Sequence, residues 1–201
     1  PRPARFAWPV EAEAMDVLMA AIVAALLAQV SDRTPWAVAA LGDRYDEKGA
    51  VIAGVALALA FGNAVGVVGG ILVAPMLSPN AQGLLLALAM LSGGVAGFWP
   101  SKPAKARRWR LGPFGSSLVA VGVLGFGDRT QFITAAFATQ ATTPAFAGIG
   151  ATIGSLAVTV PATLLGERGL RKLPTTALRL GAATVLTLAG AVQALSALRL
   201  I

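Results

Sequence analysis

Apolar runs of roughly twenty residues, long enough to cross a bilayer, take up most of this chain. Hydrocarbon offers no water to complete backbone hydrogen bonds, so a segment at that depth must satisfy them itself, and runs of this length do so as helices. Charged residues make up only 12% of the sequence, about half the share of an ordinary soluble domain, and the mean hydropathy is +0.74. The fold class expected is an all-α polytopic membrane protein.

Six spans are read, at about 15–41, 50–73, 81–99, 111–139, 145–165 and 174–198. Polar or proline-bearing segments separate them: the loop 42–49, the Ser78-Pro79-Asn80 turn, a basic linker at 100–110, the Thr142-Thr143-Pro144 turn and a connector at 166–172. With six spans, the loops 42–49, 100–110 and 166–172 share one side. They carry Arg44, Lys48, Lys102, Lys105, Arg107, Arg108, Arg110, Arg168, Arg171 and Lys172, whereas the other side has only Arg2, Arg5 and Arg199. Ten against three places the basic loops in the cytoplasm and both termini outside, which in a bacterial inner membrane is the periplasm. The same placement accounts for the net charge of +7, so no nucleic-acid partner is expected; the bilayer is the partner. The first apolar run continues into charged residues instead of a small-residue cleavage site, so no removable signal peptide is expected. A homo-oligomer stays open.

Inside this apolar chain a polar tetrapeptide occurs twice. Ser31-Asp32-Arg33-Thr34 returns as Gly127-Asp128-Arg129-Thr130, 96 residues later. An aspartate at membrane depth costs about 2.5–3.5 kcal/mol even on lenient insertion scales, and an intramembrane acid points to function by default. The repeat extends to the spans themselves. Residues 1–99 form a first unit of three spans, 100–110 a linker, and 111–201 a second unit, with Ala53-Gly54-Val55 answering Ala147-Gly148-Ile149 in the second helix of each. An odd number of spans per unit inserts the two units in opposite orientations, the inverted-repeat design of secondary transporters with a site near the midplane. Glycines four apart (Gly62, Gly66 and Gly70; Gly93 and Gly97; Gly150 and Gly154) are read as close helix packing.

Around the motif, Gln29 lies three residues before Asp32 and shares its helix face, as Gly125 does with Asp128. Pro35 has no amide proton, so the Ser31 carbonyl loses its helical partner and becomes a candidate cation ligand. Gly125 and Gly127 are placed to loosen the corresponding helix of the second unit. Arg33 and Arg129 offer another use for the aspartates, an ion pair that fixes the halves in register. The chain has no cysteine and no histidine. The usual nucleophilic and acid–base constellations therefore lack their residues, and no enzyme activity and no resident cofactor are expected.

The doubled motif, the three-plus-three arrangement and the run Gly127-Asp128-Arg129-Thr130-Gln131 resemble the GDT-one family of membrane cation/proton exchangers, whose signature is Glu-x-Gly-Asp-Lys/Arg-Thr/Ser once per half. The resemblance implies Mn²⁺ or Ca²⁺ exchanged for protons at a site shared by both halves. It places the family aspartates on Asp32 and Asp128, the basic position on Arg33 and Arg129, and the hydroxyls on Thr34 and Thr130. The family glycine is Gly127 in one copy and Ser31 in the other. Both family glutamates are absent, replaced by Gln29 and Gly125. Two aspartates, the Gln29 amide, Thr34, Thr130 and the Ser31 carbonyl then remain as oxygen donors for a hard or borderline cation. The expected function is a divalent cation/proton exchanger, Mn²⁺ before Ca²⁺. The alternatives are a carrier of a zwitterionic or organic solute, with the arginines neutralising the site, and a non-transporting membrane scaffold derived from the family.

Overall fold

The structure, a computed structural model, describes residues 8–100 and 111–200. Arg2, Arg5 and the linker residues Lys102, Lys105, Arg107, Arg108 and Arg110 lie outside the described residues.

Every described element is helical. The order is α1 (Trp8–Val30), α2 (Thr34–Arg44), α3 (Lys48–Val73) running into a 3-10 turn (Ala74–Met76), α4 (Pro79–Gly97), α5 (Gly112–Gly125), α6 (Arg129–Gln140), α7 (Ala145–Lys172) and α8 (Thr175–Ala197). The spans read at 15–41 and 111–139 are each broken in two at their motif, into α1 with α2 and α5 with α6. Among the described residues five helices are long and apolar enough to cross a membrane alone: Ala12–Val30, Lys48–Met76, Pro79–Gly97, Ala145–Lys172 and Thr175–Ala197. At 14 residues, α5 is apolar but shorter than a crossing. The all-helical polytopic class holds, and the count of six transmembrane helices is not confirmed, because glycine and a capping aspartate divide the fourth span.

The connector expected at 166–172 is also different. Gly166 takes φ 68° and breaks α7, but the chain resumes as helix to Lys172. Asp43, at the end of α2, explains the restart: its Oδ2 accepts from the Glu167 amide at 2.8 Å and so caps the second piece of α7. Beside it Lys48 Nζ donates to the Leu164 carbonyl at 2.9 Å. These bonds bring the 42–48 loop and the 166–172 segment to the same end of the molecule. At the other end Glu13, in α1, accepts from the Thr142 amide at 3.4 Å and from the Thr142 hydroxyl.

The surface is lined by large apolar side chains, among them Phe61, Leu72, Val123 and Leu188, while the buried positions are rich in alanine. That inversion suits lipid, where helices associate by close packing of small residues and not by excluding water. The interlocking is reciprocal. The second helix of each unit packs on the broken helix of the other, α3 on α5 and α6, and α7 on α1 and α2, while α4 pairs with α8. A Cβ at Gly54 would run into the Phe114 carbonyl, and one at Gly150 would run into the Leu18 carbonyl. A Cβ at Gly94 would meet the Thr187 backbone, and one at Gly190 the Leu91 backbone. Each pair maps onto the other by a shift of 96 positions, the spacing of Asp32 and Asp128. Gly54 therefore corresponds to Gly150, two residues beyond the Gly148 chosen by matching Ala53-Gly54-Val55 to Ala147-Gly148-Ile149.

Candidate functional site

Both motifs form short non-helical breaks that end on the N-terminus of a half-helix. At the first, Asp32 precedes α2 and its Oδ2 accepts from the Thr34 amide at 3.1 Å and the Thr34 hydroxyl at 2.5 Å. Pro35 falls in the first turn of α2, where a missing amide proton costs nothing, so it opens the second half-helix and does not interrupt a continuous one. At the second, Gly127 takes φ +74°, a conformation that glycine adopts without strain. Asp128 is the N-cap of α6, and its Oδ1 accepts from the Arg129 amide at 2.6 Å. Amide donors and the positive end of a helix dipole offset part of the cost of holding each carboxylate at this depth.

Asp32 and Asp128 line one cavity of about 350 Å³, together with Arg33, Arg129, Gly127 and the apolar Val123, Leu124 and Phe126. Neither arginine forms a salt bridge with either aspartate among the described residues; the ion pair at 3.8 Å is between Arg171 and Glu167. The ion pairs weighed for Arg33 and Arg129 are thus not formed. The reason is local: both carboxylates turn toward the amides of their own half-helices, Arg33 is exposed, and Arg129 buries Nη1 without a partner among the described residues.

The remaining motif residues stand behind this cavity and are not on its wall. Ser31 is buried and donates its hydroxyl to the Ala28 carbonyl at 2.9 Å. Gln29, 1% exposed, accepts from the Thr130 hydroxyl at 3.2 Å, which joins α1 to α6 at the level of the two breaks. Its Nε2 has no partner among the described residues. Gln131 accepts from the Gly127 amide at 2.7 Å and donates to the Gly62 carbonyl of α3 at 2.9 Å. Gly125 ends α5, and a Cβ there would meet nothing within 4 Å.

Three polar residues that the motif reading did not single out continue this layer. Thr134 shares its hydroxyl between the Thr130 carbonyl at 2.7 Å and Asn63 Oδ1 at 3.1 Å, and Asn63 Nδ2 donates to the Thr152 hydroxyl at 3.1 Å. A ladder of side chains thereby links α1, α6, α3 and α7. Its sequence signal was a lone amide in α3, whose 26 residues are otherwise apolar after Lys48, and two threonines one helical turn apart.

Chemically, the cavity presents two carboxylates to a small volume. The described residues hold no group of three or more His, Cys, Asp or Glu side chains able to fix a metal. Such a pair suits a cation that is held for passage and keeps part of its water.

The family profile described as "Divalent cation/proton antiporter GDT1" matches residues 17–105 and 113–200. A protein of Vibrio cholerae serotype O1 described as "Putative manganese exporter" is 31% identical over 165 residues, which cover 80% of this chain and 81% of that protein. No solved structure matches the chain significantly.

Proposed function

The chain belongs to the divalent cation/proton antiporter GDT1 family, and from that membership we propose that it moves Mn²⁺, and Ca²⁺ less well, out of the cytoplasm in exchange for protons. The observation that carries the proposal is the shared cavity of Asp32 and Asp128. Two carboxylates balance the charge of one divalent cation, and the same two oxygen pairs can take up protons once the cation has left. Exchange follows if the site crosses the membrane loaded with one or the other. The manganese preference is supported by the description of the Vibrio relative.

The inverted relation of the two units supplies the motion. The matching contacts of Gly54 on Phe114 and Gly150 on Leu18, and of Gly94 on Thr187 and Gly190 on Leu91, support a two-fold axis between the units, and rocking of one set of helices against the other would expose the central site to each side in turn. The ten basic residues then mark the cytoplasmic face.

In proteoliposomes, an imposed pH gradient is expected to drive Mn²⁺ flux, and Asp32→Asn or Asp128→Asn should reduce it to the level of empty vesicles. Flux that persists in the double variant, with the protein still folded, rejects the mechanism.

One observation favours a second reading. The Arg129 Nη1, buried without a partner among the described residues, and the presence of two arginines on the cavity wall would suit the carboxylate of a zwitterionic solute. Thermal stabilisation by amino acids and not by Mn²⁺ would select it.

A further inference from the structure

The shift of 96 positions also relates two cavities that flank the central one. A cavity of about 410 Å³ is lined by Val30, Asp32, Pro35, Ala157, Val158 and Pro161 at its inner end. A second, of about 190 Å³, is lined by Phe126, Asp128, Gln131, Phe61, Gly62 and Val65, the counterpart of each in turn. Asp32 is common to the first and the central cavity, and Asp128 to the central and the second. Each flanking volume thus shares one aspartate with the central one.

The flanking cavities are related in sequence but differ in shape. The first continues past Leu170 and Leu173 to Thr176 and Pro100, at the end of the molecule that holds the 42–48 loop and the 166–172 segment. The second has no lining residue from the 74–80 or 140–144 turns at the other end. The difference coincides with one pair of counterparts. Gln131 bridges the break at Gly127 to the α3 carbonyl of Gly62, with both bonds under 3.0 Å. Pro35, at the equivalent place, has no side-chain donor or acceptor, and Val158 stands where the other half has Gly62.

We propose that the structure is the state in which Asp32 opens toward the basic-loop end, and that the Gln131 side chain is the latch that holds the equivalent passage at Asp128 closed. In the opposite state Gln131 releases Gly62, and the second cavity extends to the other face. Gln131 is a positioning residue, and this role rests on the transporter reading for its purpose.

The absence of cysteine from the sequence allows a direct test by single-cysteine labelling with a membrane-impermeant maleimide, in vesicles of known orientation. In the otherwise native chain, Val158→Cys is expected to react from the basic-loop face, and Val121→Cys, on the wall of the second cavity and 1% exposed, to be protected from both faces. Adding Gln131→Leu should raise labelling at Val121→Cys from the opposite face by about tenfold, the scale set by losing one or two hydrogen bonds. Gln131→Glu, which when ionised still accepts from Gly127 but cannot donate to Gly62, gives an intermediate rise and serves if the leucine variant does not fold. Protection of Val121→Cys that is unchanged in the folded variants, or equal reactivity from both faces in the native background, overturns the latch. The labelling requires no flux, so failure of the latch is distinguishable from failure of Mn²⁺ transport itself.

Discussion

The two positions where the family places a glutamate are not equivalent in this chain. Gly125 stands at the end of α5 with open space where a Cβ would be, beside a cavity wall that also holds Asp128. Gln29 is 1% exposed, bonded to Thr130, and absent from the wall of the central cavity. Gly125→Glu should therefore be tolerated and should tighten Mn²⁺ binding by about tenfold, as expected for one added carboxylate near a partly hydrated cation. Gln29→Glu buries a carboxylate with no cation to offset it and should destabilise the protein by about 3–5 kcal/mol. Melting curves with and without Mn²⁺ separate the two, with metal-dependent stabilisation enlarged only in the Gly125 variant. The sequence showed which residues carry charge at membrane depth, because Asp32 and Asp128 are conspicuous in apolar surroundings. It did not show which way they face. That is fixed by amide donors at Thr34 and Arg129, and backbone donors leave no mark in composition.

Helix breaks decide what each element can do. Those at 31–33 and 126–128 were legible, since proline, glycine and aspartate cluster there within apolar runs. The break at Gly166 was legible as a stop but not as a restart, because the cap that restores helix comes from Asp43, 124 residues away. The bond has a measurable consequence. Asp43→Ala removes the cap from the second piece of α7 and should cost about 1 kcal/mol, the usual value of an N-cap. The segment that follows should fray, so trypsin should cut the variant faster at Arg168, Arg171 and Lys172 while α8 stays intact. Equal cleavage rates in the two proteins would mean that packing of the buried Leu170, and not the cap, holds the segment in place. The glycine stripes behaved as their spacing suggested at Gly66, Gly70, Gly150 and Gly154, which all meet backbone carbonyls of a neighbouring helix. Gly62 differs: a Cβ there would be in open space, and its carbonyl is the anchor for Gln131.

At the scale of the whole molecule, the two units found by repetition are not two packing units. Nearly every substantial helix interface runs between them: α4 with α8, α1 and α2 with α7, α3 with α5 and α6, and α4 with α6. Within a unit, α1 barely touches α2 or α4. Repetition in a sequence reports ancestry and local form, and the exchange of partners between copies is a tertiary fact that neither copy encodes alone. A lone half would therefore lack the facing helix for each of its small-residue stripes, where close contact supplies most of the association in lipid. It would also carry one aspartate of a two-aspartate cavity. Residues 1–99 and 111–201 expressed separately should be degraded and should give no Mn²⁺ flux. Expressed together in one membrane they should associate through the same interfaces and recover flux, because those interfaces are formed by helices of the two halves and each half brings one aspartate to the shared cavity. Co-purification of a tagged half with its untagged partner, followed by reconstitution, measures both outcomes. Flux from either half alone would show instead that one motif suffices, and that the cavity shared by Asp32 and Asp128 is not what moves the cation.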